Sequence, residues 1–263
     1  MKYSKNFQIQ PIVDIKTNRV CGGELLYRPD GNPLTEEILE ELDNDPFVNL
    51  DVTKQAFILS LNILERIQSS VWLSINISPR FMGDGKGFMK SLSREVEDLD
   101  RIRRQIGKRL KIELTEKCVM KSSQLEFLEH LADRHEIAID DFGSGIAPLK
   151  NMLDLNFSKI KVDKDIIKDI DYSDTKQRFL KWLVSGSHSI GVTVCAEGIE
   201  TASQLMLCKR FGVDEGQGWL WSKAVKVKEF EILASPMETA AVTLGQTLEA
   251  KLENTQSTET PRM

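Results

Sequence analysis

The sequence predicts an α/β protein that folds as a TIM-like (β/α)8 barrel with an antiparallel first strand. Short runs rich in valine, isoleucine and leucine alternate with longer stretches of helical periodicity, which is typical of a mostly parallel sheet covered by helices. The number of short runs approaches eight, and closure into a barrel is then the simplest arrangement. Only four polar residues separate the first two runs, which predicts that these strands pair antiparallel.

The predicted strands and helices follow one another along most of the chain. The first strands are predicted at 7–15 and 20–27, with a turn at 16–19 between them. Apolar residues recur with helical spacing over 47–68, which predicts a long helix. The later strands are predicted at 71–78, 110–116, 136–141, 157–163, 192–197 and 213–221. The other helices are predicted at 34–43, before 106, and at 122–134, 147–154, 174–189 and 201–211.

Residues 1–234 are predicted to form one domain, because no sequence repeat and no internal linker interrupts the alternation. Residues 235–263 differ in composition: they contain six threonines and no aromatic residue. The middle of this polar tail predicts a short amphipathic helix, which Gly245 weakens. Its last ten residues are predicted to be disordered.

Composition and charge argue against several classes of protein. The 35 lysines and arginines against 40 aspartates and glutamates leave a net charge of −5, which disfavours a basic face for long nucleic acid. No apolar run approaches the roughly 18 residues that span a membrane, and the first residues lack the apolar core of a secretory signal. The four cysteines form no CxxC pair, so we expect reduced thiols. These features predict a cytoplasmic protein.

Acidic and amide side chains end most of the predicted strands, where a barrel carries its functional loops. With one lysine, these residues are Glu24, Asn76, Glu113, Glu116, Asp140, Asp141, Lys161, Asp163, Glu197, Glu200 and Gln217. Carboxylates crowded at a partly dry rim repel one another unless cations compensate them. Oxygen ligands suit Mg²⁺ or Mn²⁺, and adjacent Asp140 and Asp141 can serve two ions, an arrangement used for phosphodiester hydrolysis.

Each of these residues also has a structural interpretation. Glu24 alone is better explained as an exposed residue of an edge strand, and Asn76 as a hydrogen-bonding partner of the turn after its strand. The pair 140–141 suits a turn or a helix cap. Glu116 and Glu200 suit the first turns of helices, where the helix dipole favours negative charge. The recurrence of such residues at equivalent strand ends favours a common site.

Eight short motifs resemble, in order, those of the EAL family of bacterial cyclic di-GMP phosphodiesterases. They are QPIVD at 10–14, GELLYR at 23–28, SINISP at 74–79, ELTE at 113–116, DDFGSG at 140–145, KVD at 161–163, AEGIE at 196–200 and GQG at 216–218. The resemblance extends from about Gln10 to Ala224, nearly the whole globular part, and identifies the chain as a stand-alone EAL protein.

The resemblance implies metal-dependent hydrolysis of one phosphodiester of cyclic di-GMP to linear pGpG. The implied ligands of two Mg²⁺ or Mn²⁺ ions are Glu24, Asn76, Glu113, Asp140, Asp141 and Glu197. Glu197 is also implied to take a proton from the attacking water, which Lys161 holds. The implied substrate contacts are Gln10, Arg28, Asp163 and Gln217, of which the last two complete the metal or substrate shell. Glu116 and Glu200 are implied to support the loop 142–147.

The chain departs from the family pattern around the proposed substrate rather than at the implied metal ligands. Leu25 replaces the alanine of Glu-Ala-Leu, Pro29 replaces a usual aromatic residue, and Ile-Ala-Pro at 146–148 replaces Tyr-Ser-Ser. The stretch 30–47 also lacks the usual pattern of the loop near the guanine. An active phosphodiesterase remains the favoured hypothesis because every implied ligand is present.

Two other hypotheses stay open. One is a catalytically weak or inactive EAL module that binds cyclic di-GMP or a regulatory protein partner, and the other is a different metal-dependent phosphohydrolase on the same barrel. The resemblance also implies a homodimer and a role in signalling that controls biofilm formation or motility. No partner that is a long nucleic acid or a membrane is expected.

Overall fold

The computed structural model describes residues 6–35, 45–77, 109–115, 131–144 and 156–235, together with single residues at 38, 106, 125, 128 and 129. In these ranges eight strands close into a barrel in chain order. The strands are β1 (Phe7–Asp14), β2 (Arg19–Tyr27), β3 (Trp72–Asn76), β4 (Leu110–Thr115), β5 (Ile137–Phe142), β6 (Lys159–Val162), β7 (Thr193–Ala196) and β8 (Glu215–Gly216). The predicted eight-stranded α/β barrel is confirmed.

The first strand has the predicted antiparallel orientation. β1 runs antiparallel to both of its neighbours, β2 and β8, whereas every other neighbouring pair is parallel. The hairpin between β1 and β2 is closed by Asp14, whose Oδ1 accepts hydrogen bonds from the backbone N–H and the hydroxyl of Thr17. The opposite direction of β1 places its first residues, not its last, beside the carboxyl ends of the other strands.

The last strand is much shorter than the predicted 213–221. Its apolar and aromatic residues resemble a strand in composition, but the chain turns directly after Gly216. The backbone N–H groups of Trp221 and Ser222 both donate to Gly218 O, which closes a turn rather than a ladder. Trp221 is buried beneath this turn, and its indole N–H donates to Asn18.

Five α-helices with defined bounds are described around the barrel, together with two 3-10 helices at Pro29–Gly31 and Ile170–Tyr172. The α-helices are α1 (Pro46–Leu64), α2 (Lys164–Ile167), α3 (Asp174–Ser189), α4 (Ala202–Phe211) and α5 (Val227–Leu233). Three of them correspond to predicted helices, with α1 ending four residues before the predicted 68. The sequence did not predict α2 or α5. The predicted helices at 34–43, before 106, at 122–134 and at 147–154 lie wholly or mostly outside the described residues, as does the tail after 235.

Local sequence signals begin and end these helices. Asp45 begins α1, because its carboxylate accepts hydrogen bonds from the backbone N–H groups of Phe47 and Val48. Thr201 and Gln204 form a reciprocal capping box at the start of α4. The same helix ends at Gly212, whose φ of 82° lies in the left-handed region that glycine adopts without steric cost. Of the described helices, none has the length and apolar character needed to cross a membrane.

The barrel separates an apolar outer layer from a polar interior. Outside, Phe57 of α1 and Phe230 of α5 pack in one buried cluster, while Leu180 of α3 packs in a second. Inside, the Trp72 ring lies below the Nζ atoms of Lys159 and Lys111, at 3.8 and 4.2 Å from its centroid. This layer fills the interior at the end opposite the strand carboxyl ends.

Candidate active site

Lys161 occupies the centre of the barrel at the carboxyl ends of the strands. Its Nζ lies 2.8 Å from Glu113 Oε2 and Glu197 Oε1, 2.9 Å from Asp140 Oδ1 and 3.0 Å from Glu24 Oε2. The lysine side chain is 1% exposed, so these contacts are made away from bulk water. One ammonium group carries a single positive charge and three N–H donors, fewer than the four carboxylates that surround it.

Strand geometry brings these side chains together. Successive residues of a strand face opposite sides, so residues two apart, such as Lys159 and Lys161, share the interior face. Glu24 lies beside Ser74 in the register of β2 and β3, and Asn76 lies beside Glu113 in that of β3 and β4. The last inward-facing residues of neighbouring parallel strands therefore lie at the same height along the barrel axis, at the carboxyl ends of the strands.

Two amide groups hold the carboxylate of Glu24. Asn76 Nδ2 donates a hydrogen bond to Glu24 Oε1 at 2.8 Å, and Gln217 Nε2 donates to Glu24 Oε2 at 3.0 Å. Glu24 itself is buried, so the edge-strand interpretation of this residue is wrong: β2 is covered on both sides by β1 and β3. The amides fix the orientation of this carboxylate while leaving its charge in place.

Asp140 and Asp141 face the same site although they are consecutive in β5. The φ of Asp141 is 54°, and the register between β5 and β6 shifts between Ile139 and Phe142. Aspartate tolerates the left-handed region better than most residues with a Cβ. As a result, carboxylate oxygens of Asp140, Asp141 and Glu197 lie within 4.8 Å of one another.

The buried acidic cluster fits a metal site. Two groups of carboxylates have oxygens within 4.8 Å of one another: Glu24, Glu113 and Asp140 form one, and Asp140, Asp141 and Glu197 form the other. Glu113 Oε1 is buried, and no described residue donates a hydrogen bond to it. An all-oxygen donor set with an acceptor that lacks a protein donor suits a hard divalent cation. Asp140 belongs to both groups.

The raised pKa values of three carboxyl groups show that Lys161 offsets only part of their mutual repulsion and of the cost of burying their charge. Burial, reinforced by repulsion from Glu24, raises the pKa of Glu113 to about 8 and that of Asp140 to about 6, against the opposing effect of Lys161. Burial likewise raises the pKa of Glu197 well above its usual range.

Glu24 is the exception among these carboxyl groups. Burial acts to raise its pKa, but Lys161 and the hydrogen bonds from Gln217 and Asn76 outweigh that effect and lower it. The lowered pKa keeps the carboxylate of Glu24 ionised without a metal ion, whereas Glu113, with a pKa of about 8, keeps a proton at neutral pH that a cation can displace.

The other predicted site residues lie around this cluster. Gln10 is half-buried and faces Glu24 across the β1–β2 register. Arg28 follows β2, is half-buried, and donates from Nη1 to Tyr27 O at 3.2 Å. Asp163 is buried, and its Oδ1 accepts from Asp165 N at 2.7 Å, which caps α2.

Of the two predicted loop-supporting residues, the structure describes Glu200 and not Glu116. Glu200 is exposed, and its backbone N–H donates to Gln204 Oε1 at 2.8 Å at the start of α4. Glu116 lies outside the described residues, as does the loop beyond Ser144. Sequence reasoning also missed Lys159 and its ion pair with Glu215 in the interior below the site. The signal was available, because Lys159 precedes Lys161 by two residues.

The EAL domain family model matches residues 6–224, which includes every residue of the cluster. The chain belongs to the EAL domain family. This EAL domain is 27% identical over 233 residues to the probable cyclic di-GMP phosphodiesterase PdeB of Escherichia coli K12, covering 84% of this chain and 43% of PdeB. It is also 27% identical over 165 residues to the cyclic di-GMP phosphodiesterase PdeR of the same organism, covering 60% of this chain and 24% of PdeR. The chain spans less than half the length of either relative.

Solved structures show the same fold. The EAL domain resembles Klebsiella pneumoniae BlrP1 in complex with manganese and cyclic di-GMP, with 26% identity and a TM-score of 0.70 over 83% of this chain and 55% of that one. It also resembles the EAL enzyme Bd1971 bound to cAMP and cyclic di-GMP, with 23% identity and a TM-score of 0.75 over 88% of this chain and 64% of that one.

Proposed function

We propose that this EAL domain is a metal-dependent phosphodiesterase that hydrolyses one phosphodiester of cyclic di-GMP to linear pGpG. The observation that carries the proposal is the pair of carboxylate groups that share Asp140 around the buried Lys161. The relatives PdeB and PdeR and the manganese and cyclic di-GMP complex of BlrP1 support it.

Two Mg²⁺ or Mn²⁺ ions fit this site, and their sets of ligands would share Asp140. The residues that would hold the first ion are Glu24, Asn76, Glu113 and Asp140. The residues that would hold the second are Asp140, Asp141 and Glu197. When bound, two such ions supply Lewis-acid stabilisation of the scissile phosphate and a water of lowered pKa.

The protein side chains supply the proton transfer and the positioning. Glu197 is the proposed base, because its carboxylate lies 2.8 Å from Lys161 Nζ, the group proposed to hold the attacking water. Burial acts to lower the pKa of Lys161, but the surrounding carboxylates raise it well above its usual value. Lys161 therefore stays protonated, so that it can hold the attacking water and offset charge on the phosphate. Gln217 keeps Glu24 oriented toward the first ion.

Substrate contacts are proposed around the rim of the cluster. The Arg28 guanidinium is suited to a phosphate oxygen, because its charged N–H groups form strong hydrogen bonds with oxyanions. Gln10, Asp163 and Gln217 are proposed to complete the substrate shell from β1, β6 and β8. A homodimer, a regulatory protein partner, a cytoplasmic location and a role in biofilm or motility signalling are further proposals that rest on the family resemblance.

The substitution in the family-naming motif does not enter the site. Leu25 faces away from Glu24, because neighbouring strand residues alternate, and it is buried in the outer apolar cluster with Phe57. The hypothesis of an inactive binding module rests instead on the altered stretch 30–47 and on the substitutions after the Gly-rich loop. The substitutions at 146–148 lie outside the described residues and leave that hypothesis as the second candidate.

Incubation of purified protein with cyclic di-GMP and Mg²⁺ or Mn²⁺, with chromatographic resolution of products, tests the proposal. Linear pGpG is expected from the wild type. The matched variant Glu24→Gln keeps the shape of the side chain but not its charge, and is expected to form no product. Absence of product from wild type at enzyme concentrations equal to substrate contradicts the proposal. A nucleotide titration then separates a cyclic di-GMP-binding module from a protein with no affinity for it.

A further inference from the structure

Backbone hydrogen bonds connect the segments that carry Glu197 and Gln217. The N–H of Ile199 donates to Gln217 O at 3.1 Å, and the N–H of Leu220 donates back to Ile199 O at 3.0 Å. The N–H of Gln217 donates to Ala196 O at 2.9 Å. The backbone segments that carry the two side chains are therefore hydrogen-bonded to each other, both at Gln217 and beyond it at Leu220.

Gly218 allows these segments to come this close. A Cβ on Gly218 would lie 2.0 Å from Ile199 O and 2.4 Å from Ile199 N, closer than the 3.0 Å limit below which something must shift. Both atoms belong to the backbone, so no side-chain rotation relieves the clash. The φ of Gly218 is outside the left-handed region, so the space and not the backbone conformation requires glycine here.

The two connected segments act on one set of charges. Gln217 donates to Glu24 Oε2, and Lys161 Nζ lies 3.0 Å from the same oxygen. Glu197 contacts Lys161 from the other side at 2.8 Å. A shift of one segment against the other therefore separates Gln217 from Glu24, or Glu197 from Lys161.

We propose that Gly218 is a positioning residue of the site: through the backbone of Ile199 it sets the spacing between Gln217 and Glu197. The inference rests on the proposed function and adds to it a residue without a side chain. A side chain at 218 is expected to weaken metal binding and turnover together while the barrel stays folded. Loss of such supporting contacts around metal ligands typically costs about 10–100-fold in metal affinity or activity.

Two other glycines provide matched comparisons. A Cβ on Gly216 would lie 2.7 Å from the Trp221 ring and 2.9 Å from Ile199 Cδ1, so it meets side-chain atoms that can move. A Cβ on Gly186, in α3, meets nothing within 4 Å. Gly216→Ala is therefore expected to lower thermal stability with less effect on metal binding. Gly186→Ala is expected to raise thermal stability slightly, because alanine suits a helix interior better than glycine, and to leave metal binding unchanged.

The experiment measures the ¹H–¹⁵N resonance of the Gln217 side-chain amide and the Mn²⁺ affinity of Gly218→Ala and of Gly186→Ala. The amide resonance is expected to shift, and Mn²⁺ affinity to fall about tenfold or more, in Gly218→Ala alone. The resonance is recorded without metal or substrate. An inactive wild type therefore overturns the proposed function but not the inference about Gly218, whereas an unshifted resonance overturns that inference. If Gly218→Ala does not fold, the Mn²⁺ affinity of Gln217→Ala is measured in its place. A fall of about tenfold or more is expected, and an unchanged affinity overturns the inference, because Gly218 is proposed to act through Gln217.

A double-mutant cycle separates positioning from a general loss of structure. If Gly218 acts through Gln217, then Gly218→Ala reduces kcat/KM much less in a Gln217→Ala background than in the wild type. Equal fold-losses in both backgrounds overturn the positioning role.

Discussion

Asp140 and Asp141 are neighbours in the chain, yet their carboxylates share a site because the φ of Asp141 is 54°. An alternating strand would send the second carboxylate to the outer face. The left-handed residue at the end of β5 brings both carboxylates of a consecutive aspartate pair into one cluster, as the proposed two-ion site requires.

Two substitutions of Asp141 separate its charge from its backbone conformation. Asp141→Asn removes the charge but keeps a residue that tolerates positive φ, so we expect unchanged stability and a fall in Mn²⁺ stoichiometry from two ions to one. Asp141→Ala is expected to lose, in addition, about 1 kcal/mol of unfolding free energy, because alanine pays the steric cost of this conformation. Calorimetric titration and urea unfolding measure both. Two bound ions in Asp141→Asn would show that Asp141 is not needed to hold the second.

Metal binding and pH are linked through the buried carboxyl groups. The pKa of Glu113 is about 8 in the folded protein against an ordinary value of 4.5, so the folded state keeps a proton that the unfolded chain releases. The free energy of unfolding of the metal-free protein is therefore expected to fall as pH rises between these two values. Bound cations take the place of the protons, so Mn²⁺ is expected to raise Tm more near pH 8 than near pH 6.

Thermal unfolding with and without Mn²⁺ at the two pH values measures this difference. In Glu113→Gln the carboxyl group is absent, and the dependence of the Mn²⁺ effect on pH is expected to shrink. An equal Mn²⁺-induced increase in Tm at both pH values in the wild type would show that Glu113 does not keep its proton in the metal-free protein.

Lys161 is expected to stabilise the metal-free protein as well as to serve the reaction. Lys161→Met leaves four carboxylates without their shared ammonium and is expected to cost about 3–5 kcal/mol of unfolding free energy near pH 7. Mn²⁺ is expected to recover more stability in this variant than in wild type, since the cation replaces the missing charge. Denaturant unfolding with and without Mn²⁺ measures both quantities. Lys161→Arg is the control that keeps the charge.

Arg109 is expected to affect stability without affecting the site. It lies at the start of β4, at the end of the barrel away from the carboxylates, and its guanidinium donates to Leu64 O at 2.8 Å, Gln68 O at 2.6 Å and Val71 O at 2.9 Å. Arg109→Ala removes the side-chain donor from these three carbonyls and leaves Gln68 O with the backbone N–H of Val71, and about 2–4 kcal/mol of unfolding free energy is expected to be lost. Urea unfolding measures the loss, and Mn²⁺ affinity at a temperature where the variant is folded is expected to be unchanged. A large fall in Mn²⁺ affinity would mean that the two ends of the barrel are coupled.

The sequence predicted the barrel because alternation of strand and helix leaves few architectures, and it predicted the rim because inward-facing strand ends must meet there. It overestimated β8, since aromatic residues such as Trp221 suit a strand and a buried turn equally well. It also suggested an exposed Glu24, because neighbours across a sheet are set by long-range pairing. The convergence of four carboxylates on Lys161 and the left-handed Asp141 depend on three-dimensional contacts, which local patterns do not encode.

The buried Trp72 ring, with Lys159 Nζ 3.8 Å from its centroid, packs across the barrel interior at the end opposite the carboxylates. If the site turns over as proposed, substrate and product both bind at the opposite, carboxylate-lined end of the described interior. A product that lingers at the carboxylates then blocks the next substrate directly. We therefore expect competitive inhibition by the linear dinucleotide, because product and substrate would occupy the same site.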